Sequence, residues 1–168
     1  EVCKDSVGGL QGVYFINYDS GSSFTKNASD EITGDFTSET AYYYELKGTS
    51  AYTETVNSSR ENGTTFFSQE LTLNLKKLTN EMTTQLKLMA YGRPRVVVHT
   101  NSGDALLVGE LRGADVTAGS IQTGGGLGDL YGYSVTLTAE EPLPAAFISG
   151  STVADPFAAI TAPTIVKS

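Results

Sequence analysis

The glycine-rich stretch at 123–142, TGGGLGDLYGYSVTLTAEEP, has the residue types of a ligand-binding loop. A dinucleotide-binding fingerprint needs three spaced glycines between a strand and a helix, but Tyr131 stands where a glycine should follow Gly126 and Gly128. A phosphate-binding loop needs a Gly-Lys-Ser/Thr run, which is absent. A calcium loop needs acidic residues at alternate positions, and Asp129 stands alone. The stretch therefore predicts a flexible glycine turn leading into a strand, not a ligand site.

Other residues that could perform chemistry are sparse. The chain holds one histidine, His99, and one cysteine, Cys3. Nucleophilic catalysis needs a nucleophile, a base and an orienting group together, and His99 lies alone in a valine-rich strand pattern. A glycosidase-like pair of carboxylates stays open, but the acidic residues fall mostly on polar strand faces and the chain has no tryptophan to hold a sugar. We expect no enzyme activity, no metal and no cofactor.

Composition and charge narrow the class of protein. Hydrophobic residues make up 39% and charged residues 18% of the 168 residues, with 18 glycines and many Ser and Thr, which is typical of a β-rich domain. The net charge is −8, and no basic run exceeds a pair of residues, so groove-type or sequence-specific nucleic-acid binding is not expected. An acidic surface can instead let DNA slide past. No apolar run approaches the roughly 20 residues of a membrane span, so no membrane partner is expected.

Alternating apolar and polar residues predict the strands. The run 13–18 is rich in aromatic and β-branched residues, and Tyr42, Tyr44 and Leu46 share one face of the next strand. Strands at 51–56 and 65–76 flank Asn62-Gly63, the pair typical of a type I′ hairpin turn, in which both residues have positive φ. The hairpin is long, and we expect it to project from the domain.

The second half of the chain predicts one helix and more strands. Thr79 caps a helix at 80–91, whose apolar spacing is typical of core packing. A hairpin around 101–104, a strand at 115–122 and a clean alternation at 131–139 follow. We therefore predict a mainly β fold, a two-sheet sandwich or barrel with a long hairpin and one flanking α-helix.

The end of the chain differs from the rest. After Glu141 the sequence holds four of the five prolines and no sustained period. We predict a domain at 1–146 and an extended arm at 147–168 that docks on another surface, because apolar residues recur along it. These arm residues are Phe147, Ile148, Phe157, Ile160, Ile165 and Val166.

The segments at about 41–146 resemble tail-tube-like structural proteins of tailed bacteriophages, in particular phages of Bacteroidota. The resemblance lies in the succession ELKGTSAYTETVNSSRENGTTFFSQELTLNLKKL, a short helix with KLMAYGRPRVVV, LLVGELRGADVTAGSIQTG and GDLYGYSVTLTAEEPLPA. It implies a β-sandwich with a flanking helix and a long hairpin. It also implies hexameric rings that stack around a lumen through which DNA passes, in a virion, with itself and other virion proteins as partners.

The expected assembly contacts follow from this resemblance and from the residues. We expect Asn62 and Gly63 to fix the hairpin tip, Phe66 and Phe67 to anchor it to a neighbour, and the arm to dock on an adjacent subunit. Two other classes stay open. One is a different virion component with the same fold, namely a head-tail connector ring, a tail terminator or a capsid decoration. The other is a carbohydrate-binding sandwich that uses Tyr42, Tyr43, Tyr44 and Tyr52 as stacking surfaces.

Overall fold

Two antiparallel-rich β-sheets packed face to face form the protein in a computed structural model, which describes residues 8–17, 24–34, 40–46, 50–76, 80–158, 160 and 163–167. The six-stranded sheet has the order β10-β2-β1-β5-β6-β9, and the four-stranded sheet has the order β3-β4-β8-β7. The strands are β1 (Leu10–Ile16), β2 (Thr40–Glu45), β3 (Ala51–Ser59), β4 (Thr64–Lys76), β5 (Arg95–Thr100), β6 (Ala105–Val108), β7 (Asp115–Gln122), β8 (Gly132–Glu141), β9 (Ala146–Phe147) and β10 (Thr164–Lys167). The prediction of a mainly β, two-sheet fold is confirmed, and the fold is a sandwich rather than a closed barrel.

The core between the sheets follows from the alternation of side chains along the strands. In β4 and β8 the inward residues meet as cross-strand pairs: Leu71 with Leu137, Leu73 with Val135, and Leu75 with Tyr133. All six are buried. The six-stranded sheet covers them with Leu10, Val13, Phe15, Tyr44, Leu46, Val96, Val98 and Val108. The sequence pattern predicts that Thr65, Phe67, Leu71, Leu73 and Leu75 share the apolar face of the strand at 65–76, and the three leucines of that face lie in the core.

The other face of the six-stranded sheet is also buried. Tyr14, Val97 and Leu107 point to this face and are covered by segments of the chain that lie outside the sheet. Phe157 of the C-terminal segment is fully buried there, with its ring edge-on to Tyr14 at 5.2 Å between centroids. Ile32 is also buried in this cluster and bridges to Ile148. The C-terminal segment thus completes the core of its own subunit.

Several element boundaries differ from the sequence expectation. β1 begins at Leu10 rather than at residue 13, and it ends at Ile16. β6 ends at Val108, because the chain leaves the sheet through a turn at Gly109. The helix α1 (Asn80–Tyr91) lies where the helical spacing predicts it. The side chains of its apolar stripe, and the cap at Thr79, lie outside the described residues.

Candidate assembly surfaces

The long hairpin is formed by β3 and β4, which pair from Ala51 with Thr72 to Ser59 with Thr64. Four residues connect the strands, so the predicted two-residue type I′ turn is wrong. Only Gly63 of the Asn62-Gly63 pair has positive φ, at 63°. A four-residue loop accommodates the twist of the strands with one left-handed residue, and Asn62 donates its backbone N–H to the Ser59 hydroxyl at 3.3 Å.

The aromatic pair near the hairpin tip is divided between two faces. Phe67 pairs with Val56 of β3 and Glu141 of β8 on the inward face and is half-buried. Phe66 pairs with Asn57 and points to the outer face, where 37% of it is exposed. The pair therefore presents only Phe66 to a neighbour, at a cavity of about 300 Å³ beside the end of β8.

Both outer strands of the four-stranded sheet are open. β3 and β7 are its edges, and each has a row of backbone N–H and C=O groups without a partner strand in the described part of the chain. β3 spans nine residues and β7 eight, and most of their residues are exposed. Neither contains proline or lysine, two residues that commonly protect an edge from pairing with another chain. β7 does contain one β-bulge, between Val116 and Ala118, and is paired regularly on either side of it. The sequence pattern predicted both strands but could not show that they are edges.

Two apolar side chains on these edge strands point inward and yet remain exposed. Val56 of β3 is 60% exposed, and Ile121 of β7 is 56% exposed. Each occupies an inward register position, since Val56 pairs with Phe67 and Ile121 pairs with Tyr133. The six-stranded sheet therefore leaves both margins of the sandwich uncovered.

The outer face of the four-stranded sheet is polar and uncovered. Its residues are mostly Ser, Thr and Asn: Thr53, Thr55 and Asn57 in β3, Ser68, Thr72 and Asn74 in β4, Ser134, Thr136 and Thr138 in β8, and Thr117 and Ser120 in β7. Glu70, Glu140 and Asp115 add negative charge, and Lys76 adds one positive charge at the end of β4. Asp115 pairs with Arg93 at 3.4 Å. The face is a flat, mildly acidic surface.

Part of the predicted arm packs on its own subunit. Ile148 and Phe157 are buried against the six-stranded sheet, and Ile160 packs against the same cluster. Phe147 in β9 is 48% exposed. Ile165 and Val166 lie in β10, which pairs in parallel with β2, and they are 38% and 41% exposed. Of the six residues predicted for the arm, Phe147, Ile165 and Val166 therefore offer substantial apolar surface to another subunit.

His99 helps to hold this C-terminal segment. The His99 ring is buried, and its Nε2 lies 2.7 Å from the carbonyl oxygen of Thr152 and 3.1 Å from the Gln11 amide nitrogen. The Gln11 amide donates to the carbonyl oxygens of Thr100 and Val153, both at 2.9 Å. His99 is a satisfied structural residue. Cys3 lies outside the described residues, among which no cluster of three or more His, Cys, Asp or Glu could hold a metal ion.

Two carboxylates at the hairpin end of the sandwich are removed from solvent: Glu141 is buried and Glu54 is half-buried. Glu141 accepts a hydrogen bond from the backbone N–H of Arg112 at 2.9 Å, and burial raises the pKa of its carboxyl group. Glu54 accepts one from the Tyr52 hydroxyl at 2.9 Å. Burial and this hydrogen bond raise the pKa of Tyr52, which stays neutral. One oxygen of each carboxylate lacks a hydrogen-bond partner among the described residues. The sequence pattern predicts that most of the acidic residues lie on solvated strand faces, and Glu141, which is buried, is an exception.

The four tyrosines proposed as a sugar platform do not share an exposed surface. Tyr44 is buried between the sheets, and Tyr42 and Tyr52 pack against the same core. Tyr43 packs on the opposite face of the six-stranded sheet beside Tyr14, at 4.9 Å between ring centroids. Their rings are therefore largely occupied by packing.

The glycine turn before β8 is closed by one side chain. Asp129 Oδ2 accepts hydrogen bonds from the backbone N–H groups of Gly126 at 2.7 Å and Gly125 at 3.0 Å. These bonds lower the pKa of Asp129. Gly124 has φ of 74°, which an L side chain rarely adopts, and Leu127 at the tip is fully exposed. The turn is hydrogen-bonded, not the loosely held segment that its composition suggests.

Replacing Asp129 by alanine is expected to raise the hydrogen-exchange rates of the Gly125 and Gly126 amides at least several-fold, because both lose their acceptor. Asp129→Asn keeps an acceptor oxygen and is the matched control. Because the folded state lowers the pKa of Asp129, the protection is present above the ordinary aspartate pKa and is lost as pH falls through the lowered value. NMR-detected exchange of the two amides at several pH values checks this. Unchanged protection in Asp129→Ala would contradict the closed turn.

Comparison with protein-family models, with curated protein sequences and with solved structures finds no match to this chain. Among the described residues, no helix has the length and apolar character needed to cross a membrane.

Proposed function

We propose that the protein is a structural subunit of a tailed-phage virion that associates into hexameric rings, which stack into a tail tube conducting DNA. One observation carries the proposal: both edges of the four-stranded sheet are long strands with no partner strand among the described residues, and the residues of its polar outer face are at least partly exposed. A monomer with such edges risks uncontrolled pairing, whereas a closed ring removes both edges of this sheet. The resemblance to tail-tube-like proteins is the basis for the number of six subunits, the stacking of the rings and the passage of DNA.

The strand directions suit a ring. The four strands alternate in direction, so β3 and β7 run antiparallel to each other. When β7 of one copy pairs with β3 of the next, the antiparallel sheet continues without a change of pattern. The contact is head-to-tail, and such a contact closes into a ring when all copies are related by rotation.

The size of the resulting barrel fits the proposed cargo. Six copies of a four-stranded sheet give about 24 strands; with strands about 4.8 Å apart and tilted by about 35°, the barrel is about 45 Å across between backbones. After side chains are subtracted, this width accommodates a DNA duplex.

The orientation of the sheet follows from sterics. The six-stranded sheet packs on the core-facing side of the four-stranded sheet. If that side faced the barrel axis, the six-stranded sheet would fill the lumen. The polar outer face must therefore line the lumen. Its Ser and Thr residues, with Glu70 and Glu140, give DNA few cations to bind, so phosphates are repelled and the duplex passes with little adhesion.

Mass photometry and analytical ultracentrifugation of the purified protein test the proposal. We expect a concentration-dependent species at the mass of a hexamer, followed by larger multiples as rings stack. Rings that never stack would favour a head-tail connector or a tail terminator. A protein that stays monomeric at high concentration would refute self-assembly.

A further inference from the structure

The two edge strands of the four-stranded sheet are staggered, and the stagger restricts how two copies can join. Tyr52 of β3 is connected to Val116 of β7 through the register partners Leu71 and Leu137. Tyr52 and Val116 thus lie on one line across the sheet, perpendicular to the strands, at its opposite edges. Residues on such a line are called level, and the register partners define the line for every other residue.

At one end of the sheet β7 extends beyond β3. Gln122, the last residue of β7, is level with Lys76 of β4 through Gly132, whereas Ala51, the first residue of β3, is level with Thr72. β7 therefore extends four residues further than β3 in this direction.

At the other end β3 extends beyond β7. Ser59, the last residue of β3, pairs with Thr64, whereas Asp115, the first residue of β7, is level with Glu70. This difference is six residues. Neighbouring copies can pair their edges over the full length of β7 only when they are displaced along the strands by four to six residues.

The chemistry of the inward faces selects one displacement. With a shift of five residues, the apolar residues of one strand would lie on the same side of the sheet as the polar residues of the other. A shift of six would place Ile121 opposite the half-buried carboxylate of Glu54 and Val56 opposite Gly119. A shift of four places Ile121 opposite Tyr52 and Val56 opposite Val116. Only the last arrangement gives both exposed apolar side chains an apolar partner.

We propose that β3 residues 51–57 pair antiparallel with β7 residues 122–115 of a second copy of this chain, with Tyr52 facing Ile121 and Val56 facing Val116 of that copy. Thr117 is the extra residue of the β-bulge in β7, so seven residues of β3 pair with eight of β7. This register rests on the proposed ring and names the contacts that close it. On the outer face it brings Asn57 opposite Asp115, an amide beside a carboxylate. This contact between β3 of one copy and β7 of the other is called the joint. It is apolar on the core side and polar on the lumen side.

Two features of the subunit fit this joint. A cavity of about 300 Å³ lies beside Tyr52 at the β3 edge, with Leu10 and Leu106 in its wall, and it lies next to the position that Ile121 of the second copy takes. Gly119 lies inside β7 with ordinary φ, and an added Cβ would meet only the Ser134 carbonyl oxygen at 3.5 Å. Nothing in the subunit requires glycine there, but in the joint it lies opposite Glu54, where a side chain would crowd the carboxylate.

The barrel geometry agrees with the same register. A displacement of four residues for every four strands is one residue per strand, which corresponds to a strand tilt of about 35°, at the lower end of the usual range for barrels. A displacement of six would give about 47°, steeper than usual. Packing chemistry and closure geometry thus select the same joint.

Disulfide cross-linking of paired cysteine variants tests the register. In a Cys3→Ser background, the pairs Tyr52→Cys with Ile121→Cys and Val56→Cys with Val116→Cys are expected to give covalent ladders up to the ring on mild oxidation. The swapped pairs, Tyr52→Cys with Val116→Cys and Val56→Cys with Ile121→Cys, use the same four positions off register. We expect at least tenfold less cross-linked product from them, because disulfides need closely opposed Cα atoms.

Electron microscopy under reducing conditions separates the two claims. Rings with equal or stronger cross-linking of the swapped pairs would overturn the register and leave the ring intact. A Cys3→Ser parent without rings would overturn the proposed function and the register with it. If a cysteine pair prevents an assembly that the Cys3→Ser parent forms, hydrogen exchange measured on the parent tests the joint instead. Amides in 51–57 and 115–122 are expected to gain protection on assembly, and unchanged exchange there would overturn the joint.

Discussion

Replacement of Ile121 by aspartate is expected to abolish ring formation while the subunit stays folded. Ile121 is 56% exposed in the subunit, so an aspartate there stays solvated and changes stability by no more than about 1 kcal/mol. In the proposed joint the same carboxylate would be buried beside Tyr52 and close to the Glu54 carboxylate, to which the Tyr52 hydroxyl donates a hydrogen bond. A penalty of about 3 kcal/mol at each joint raises the concentration needed for assembly by more than about 100-fold. Mass photometry over a concentration series measures this shift.

A matched control separates the edge from general surface hydrophobicity. Val153 is 58% exposed, similar to Ile121, but it lies in the C-terminal segment beside Gly103 and in neither edge strand. Val153→Asp is expected to assemble like the parent protein. Circular dichroism and thermal unfolding should show both variants folded. Assembly of Ile121→Asp at the parent concentration would argue against β7 as a ring contact.

Replacement of Leu73 by alanine is expected to destabilise the subunit by about 2–5 kcal/mol, because it leaves a cavity in the centre of the core. Leu73 is fully buried in the middle of β4 and faces Val135. Domains of this kind have about 5–15 kcal/mol of stability in total, so the variant loses a large fraction of it. Urea unfolding, with the slope held equal between variants, measures the difference.

The neighbouring residue provides the control. Thr72 lies on the opposite face of the same strand, in the polar outer surface. Thr72→Ala is expected to change the free energy of unfolding by roughly 0.5 kcal/mol or less, apart from a small loss of β propensity. Equal destabilisation by the two substitutions would contradict the assignment of the inward and outward faces.

The local pattern of the sequence was enough to predict most strands. The alternation from Tyr133 to Ala139 predicts β8 and its buried face, and the apolar positions of β4 are predicted in the same way. These predictions succeed because period-two burial is encoded in adjacent residues. The predicted position of the turn at Asn62-Gly63 is correct, but its predicted type is wrong. The type depends on the length of the loop, and that length depends on where the two strands stop pairing.

Long-range contacts account for what the sequence did not predict. Phe157 packs on Tyr14 across the chain, and β10 pairs in parallel with β2, so no local pattern marks either contact. The candidate joint was missed for a related reason. The predicted anchors Asn62, Gly63 and Phe66 lie at the hairpin tip, whereas the open edges emerge only when the strand order is known. Exposed inward-facing Val56 and Ile121 then become recognisable.

Cryo-electron microscopy of the assembled protein tests the central claim most directly. We expect rings in which four strands from each subunit form one continuous barrel, with the Ser- and Thr-rich face of β3, β4, β8 and β7 toward the axis. In that barrel β3 of each copy pairs with β7 of the next. Particles that remain monomeric, or rings whose lumen is lined by the six-stranded sheet or by loops, would contradict it.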